Sequence, residues 1–161
     1  MPNKLTTFAL SALVLTLVAC NDEHVTASSL EGQIGRAISE KCHESPNCTV
    51  QLRELTPFEW DRMFYFDTVP PADRQKAVGV QIKTEEFRRQ LVFLRDGKIV
   101  RNELLPTDVE KPVENEIAFQ AGDRYGFMTC DREAVFAATR GDEGTGIPFF
   151  QLKALSAEHC R

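Results

Sequence analysis

Gln90-Leu-Val-Phe-Leu-Arg-Asp96-Gly97-Lys-Ile-Val-Arg-Asn-Glu-Leu-Leu105 decides how the rest of this chain is read. Two apolar runs flank Asp96-Gly97, and a two-residue type I′ turn needs positive φ at both central positions, which Asp-Gly accepts readily. The stretch therefore predicts an antiparallel hairpin. Before it, Pro70-Pro71, residues 72–78 and Gly79 read as a short helix, opened by a fixed φ and stopped by glycine. Residues 80–89 are charged and show no clear period. After it, Pro106 and Pro112 bracket a polar loop, turns fall at 121–123 and 130–132, and strands are expected near 115–120, 124–130, 133–139 and 147–155.

Further back, Thr56-Pro57-Phe58-Glu59-Trp60-Asp61-Arg62-Met63-Phe64-Tyr65-Phe66-Asp67 reads as a central, half-buried strand. In an extended chain Phe58, Trp60, Phe64 and Phe66 share one side with Arg62, while Glu59, Asp61, Tyr65 and Asp67 share the other. Nearer the amino end, Ser28 stands three residues before Glu31, as in a capping box, and Leu30, Ile34, Ala37 and Ile38 recur at helical spacing. A helix near 28–42 is expected. Gly32 and Gly35 weaken it by about 1 kcal/mol each, so packing must hold it. The pattern as a whole predicts an α+β domain over 28–161, with a mainly antiparallel sheet, one amino-terminal helix and one short helix. Phe58, Trp60, Phe64, Phe66, Phe93, Phe119, Phe127, Phe136, Phe149 and Phe150 are its expected aromatic core.

The 161 residues carry a net charge of −5 and no basic patch, which disfavours a nucleic-acid partner. Four cysteines lie within the expected domain. Cys42 and Cys48 flank a short loop whose Pro46-Asn47 turn brings them within bridging reach, which leaves Cys130 for Cys160. Crossed pairings such as Cys42 with Cys130 stay open on spacing alone. A zinc site of Cys42, His43, Cys48 and His159 is the weaker alternative, because thiols oxidise outside the cytoplasm.

That compartment follows from the amino end. Residues 8–19 are apolar except for Ser11 and Thr16, follow a short head carrying Lys4, and end in Leu17-Val18-Ala19-Cys20. The run suits a signal segment and is too short to span a bilayer. It resembles the signal peptide and lipobox of bacterial lipoproteins. That resemblance implies removal of residues 1–19, acylation of Cys20 with palmitate-type chains, and a polar tether over 20–27. A plain secretory signal or an inner-membrane helix, with Cys20 an ordinary cysteine, is the competing reading. In enteric lipoproteins Asp directly after the cysteine retains the protein in the inner membrane. Asn21 in that place implies the inner leaflet of the outer membrane, facing the periplasm. The Thr56–Phe66 stretch also resembles a family of small envelope lipoproteins in which a Trp-Asp strand precedes a short helix ending in Gly and then a hairpin. The likeness spans roughly residues 55–100 and implies a topology without a mechanism.

Motifs for chemistry are sparse. His24 lies in the tether, His43 beside an expected disulfide and His159 next to the terminus, so none suits a triad base. There is no Gly-x-Ser-x-Gly, His-Glu-x-x-His, Walker loop or dinucleotide glycine motif, and no cofactor or metal is implied. The loop Arg140-Gly-Asp-Glu-Gly-Thr-Gly146 lacks calcium-ligand spacing and the Lys-Ser/Thr ending of a phosphate cradle, so it reads as a hairpin tip. Glu59 and Asp61, two apart on one strand face, are the remaining acid pair, and Arg62 needs a carboxylate or carbonyl partner if it is buried. The expected function is a lipid-anchored, non-enzymatic binding or interaction module with a possible envelope protein partner. Its surface would be an exposed patch of Glu59, Trp60, Asp61, Arg62 and Tyr65. The alternative is a small carboxylate-dependent hydrolase acting on cell-wall or glycan material.

Overall fold

The computed structural model describes residues 29–43, 45, 47–105, 115–120, 126–141 and 146–161. The signal segment, Cys20, the tether, His24, the loop bracketed by Pro106 and Pro112, the turn at 121–123 and the middle of the 140–146 loop lie outside these residues. In chain order the elements are α1 (Leu30–Lys41), β1 (Asn47–Gln51), α2 (Leu52–Leu55), β2 (Arg62–Phe66), α3 (Pro71–Val78), β3 (Arg89–Arg95), β4 (Lys98–Leu105), β5 (Glu116–Gln120), β6 (Phe127–Asp131), β7 (Val135–Gly141) and β8 (Phe149–Ala154).

The fold is α+β, and the strands form two four-stranded sheets where one was expected. Their orders are β1-β7-β8-β5 and β4-β3-β2-β6. Neighbouring strands run antiparallel except β5 and β8, which pair in parallel. The β3–β4 hairpin forms as its sequence requires, with Asp96 at φ 50° and Gly97 at φ 70° and Arg95 opposite Lys98. A bulge at Phe93/Leu94 interrupts the register near its apex.

The reading of β2 needs correction. Trp60 and Tyr65 were expected on an exposed patch, yet each is only 3 % exposed. The reason is that β2 lies between β3 and β6 and is covered on both faces. On one face Met63 and Tyr65 join the main core, which takes Leu30, Ile34 and Ile38 from α1, Phe136 and Leu152 from the first sheet, and Leu91 and Phe93 from the second. On the other, Phe64 and Phe66 pack with Val92, Leu94, Val78 and Ile82 beneath α3. Trp60 precedes the strand, so strand parity does not reach it. Its ring meets Phe93 edge-on at 5.2 Å, and its indole N–H donates to the Thr56 hydroxyl at 2.9 Å. α2, a single turn between β1 and β2, was not expected.

α1 starts one residue later than the capping box suggested. Ser29 is its cap and accepts the Gly32 N–H at 3.1 Å. The first glycine-related expectation, that packing must hold the helix, has a concrete cause at Gly35. A Cβ there would lie 2.0 Å from the carbonyl oxygen of Asn115, so the absence of a side chain is what lets α1 seat against the residue leading into β5. The expected disulfide pairs are present. Cys42–Cys48 ties the end of α1 to β1 with Cα atoms 5.6 Å apart, and Cys130–Cys160 ties residues 159–161 to β6 with Cα atoms 4.2 Å apart. The sulfurs that the zinc alternative required are committed to these bridges.

Candidate functional site

Two groupings of polar side chains stand out, one exposed and one enclosed. The exposed one lies at the end of the second sheet where the β3–β4 hairpin turns. Asp61, just before β2, donates its N–H to the Leu94 carbonyl at 2.9 Å, and its Oδ2 accepts the Asp96 N–H at 2.6 Å. The carboxylate thus closes the hairpin turn, and Glu59, the other acid of the expected pair, is exposed beside it in sequence. Arg62 opens β2 exposed, opposite Leu94 on one side and Asp131 on the other. Being exposed, it does not need the buried partner foreseen for it, and its guanidinium has no hydrogen bond or ion pair among the described residues.

Asp131 is instead taken by His159, whose Nδ1 lies 3.0 Å from Asp131 Oδ2, while Asp131 Oδ1 accepts the Glu133 N–H at 2.9 Å. The backbone fixes this couple. The Asp131 N–H donates to the His159 carbonyl, and Thr129 and Arg161 exchange two N–H···O bonds, all at 2.9 Å. The hydrogen bond that His159 donates to the Asp131 carboxylate, then the charge of that carboxylate, holds the imidazole above its ordinary value. Partial burial would raise the Asp131 carboxyl, but the bonds from His159 and the Glu133 N–H bring it below the ordinary carboxylate range. The place of His159 next to the terminus gives no hint of this partner. The signal that could have found the couple is the cysteines themselves: Asp131 follows Cys130 and His159 precedes Cys160, so an antiparallel bridge between those cysteines puts the two side by side.

The enclosed grouping joins α1, β2, β3 and β5. Arg89 donates to Glu31 Oε1 at 3.3 Å and to the Ile117 carbonyl at 3.0 Å, and pairs with Glu116 at 2.7 Å. Glu31 Oε1 also accepts the Ile117 N–H at 3.1 Å, while Oε2 has no partner. Glu31 is 0 % exposed, and burial pushes its carboxyl up to about 7 against the pull of Arg89. Tyr65, bonded to Arg89, has its phenol pushed up to about 12, chiefly by burial. A raised acid beside a second acid has the electrostatic profile of a catalytic pair. Enclosure within the core makes it a structural cluster here. Nothing local in the sequence marks it, because its four members come from residues 31, 65, 89 and 116. Elsewhere, a cavity of about 10 Å³ lined by Ser39, Cys42, Ser45, Ala138, Arg140 and Phe150 is large enough for one water.

No protein-family model, no curated protein and no solved structure matches this chain. Among the described residues no helix is long and apolar enough to cross a membrane.

Proposed function

We propose that this chain is a lipid-anchored, non-enzymatic binding module of a bacterial cell envelope. Acyl chains on Cys20 would hold it in the inner leaflet of the outer membrane, with the domain facing the periplasm. The observation that carries the binding reading is Arg62, a cation without an ion pair among the described residues, set at a sheet end beside the Asp131–His159 couple and the braced hairpin turn. An exposed arginine in fixed surroundings is the kind of group that recognises a carboxylate or carbonyl on a partner at small entropic cost. Trp60 packs against Phe93 near that end, Tyr65 sits further along β2 in the core beside Arg89, and both are buried. The hydrolase alternative would have to work with an Asp61 carboxylate that already accepts the Asp96 N–H.

Photocrosslinking from position 59 of the anchored protein, followed by mass spectrometry of the adduct, tests the reading. A discrete envelope component that disappears both with Arg62→Ala and with Cys20→Ser is expected. An adduct pattern unchanged by Arg62→Ala overturns the site, and a Cys20→Ser protein still labelled by palmitate and membrane-bound overturns the anchor.

A further inference from the structure

We infer that the apex of the β3–β4 hairpin is a membrane-contact surface, which seats on anionic phospholipid headgroups of the bilayer that holds the Cys20 anchor. This rests on the lipid-anchor reading and names what the anchored domain touches. Four observations converge on it.

The first is composition. Ile99 and Val100 are 38 % and 40 % exposed and adjacent, and Arg95, Lys98 and Arg101 surround them, all exposed. Residues 95–101 hold one acid, Asp96, on a chain whose net charge is −5. Arg101 shares its charge with Glu103 at 2.6 Å, which leaves Arg95 and Lys98 as the main cations of the apex. Apolar side chains ringed by cations match a headgroup boundary, where methyl groups enter the acyl edge and cations meet phosphate.

The second is rigidity. Asp61 holds the Asp96 N–H, so the apex cannot fold back to hide Ile99 and Val100.

The third is where the anchor joins. The Leu30 N–H, at the start of α1, donates to Glu103 Oε1 at 2.7 Å, so the chain from Cys20 enters the domain beside β4. Val100 lies three residues further along that strand, roughly 10 Å away. Residues 20–29 span at most about 30 Å, so the apex is among the parts of the domain that the anchor keeps nearest the bilayer.

The fourth concerns the competing occupant, another β-strand added along β4. The bulge at Phe93/Leu94 and the charges of Lys98 and Arg101 are the features with which sheet edges resist such pairing.

The test uses the full lipidated protein, purified and reconstituted into vesicles of phosphatidylglycerol and phosphatidylethanolamine or of phosphatidylcholine alone. A benzophenone residue replaces Val100 in one sample. In another it replaces Leu155, an exposed apolar residue at 56 % that follows β8 in the other sheet. Palmitate labelling is read in the same preparations. Phospholipid adducts are expected from position 100, several-fold above position 155 and above the phosphatidylcholine sample. Arg95→Gln with Lys98→Gln should bring them down towards the level of position 155, since each cation near an anionic surface contributes about fivefold in partitioning. Equal lipid adducts from positions 100 and 155, or a protein adduct in place of lipid when position 100 is probed in whole envelopes, overturns the inference while palmitate label persists. Absence of the label overturns the anchor itself and the contact with it.

Discussion

Replacing Glu31 by Gln should remove a steep fall in stability between weakly acidic and neutral pH. The carboxyl is fully enclosed, with Oε1 holding the Ile117 N–H and Arg89 and Oε2 unpartnered. Burial raises it from an ordinary 4.5 to about 7 in the folded chain. The folded state then binds more protons than the unfolded state across that interval, so the free energy of unfolding falls as pH rises. The contribution is fully present below pH 4.5 and gone above about pH 7. At about 1.4 kcal/mol per pH unit the interval is worth roughly 3 kcal/mol. Gln keeps an oxygen for Ile117 and Arg89 without the titration. Urea unfolding followed by the fluorescence of the single Trp60, disulfides intact, would be run from pH 4.5 to 8 on both proteins. The wild-type free energy minus that of Glu31→Gln should drop by roughly 3 kcal/mol over the range, other titrating groups cancelling in the difference. A difference that is flat, or that rises with pH, refutes the reasoning.

Gly35→Ala should destabilise by about 1–3 kcal/mol in the same assay, because overlap with the Asn115 carbonyl outweighs the gain in helix propensity. Asp61→Ala should cost about 1–2 kcal/mol and speed hydrogen exchange at the Asp96 amide, leaving exchange in α1 unchanged. Removing Cys130–Cys160 should cost more than removing Cys42–Cys48, roughly 3.5 against 2.5 kcal/mol, because it closes the longer loop; paired serine variants compared by urea midpoint would show it. Asp131→Asn should return the His159 titration, followed by NMR, towards its ordinary value. In the wild type the favourable coupling is present above the usual aspartate range and below the usual histidine range. It is lost as pH falls through the depressed Asp131 value or rises through the elevated His159 value.

What was legible in the sequence was local. Asp96-Gly97 specified its hairpin because the turn's dihedral needs are met by two adjacent residues, and Pro71 and Gly79 bounded α3 for similar reasons. Cys42 and Cys48 paired as expected because a short loop limits the distance between them. The division into two sheets was not legible, since β1 finds its neighbour in β7 and β2 in β6, with no short-range signal for either. Face assignment in β2 failed for a related reason. Alternation distinguishes two sides of a strand but does not say that both are covered, and Tyr65 was placed outside because Glu59 and Asp61 share its parity. The exposed site was half visible. Arg62 stood out among aromatic residues, whereas the Asp131–His159 couple depends on a strand pairing across the Cys130–Cys160 bridge.

The closing of β6 by residues 159–161 bears on how the domain comes into being. Thr129 and Arg161 are mutual partners, β2 needs β6 beside it, and β1 waits for β7. Neither sheet is complete while the chain is still emerging amino end first: β2, β3 and β4 can pair among themselves, but β1 and the open edge of β2 wait for the second half. Cys42 can meet Cys48 six residues later, but Cys130 stays a free thiol until Cys160, 30 residues on, has appeared. During that interval the chain depends on its surroundings to keep Cys130 from exchanging with the bridge already made. For this protein, maturation is therefore a matter of timing as much as of affinity between its parts.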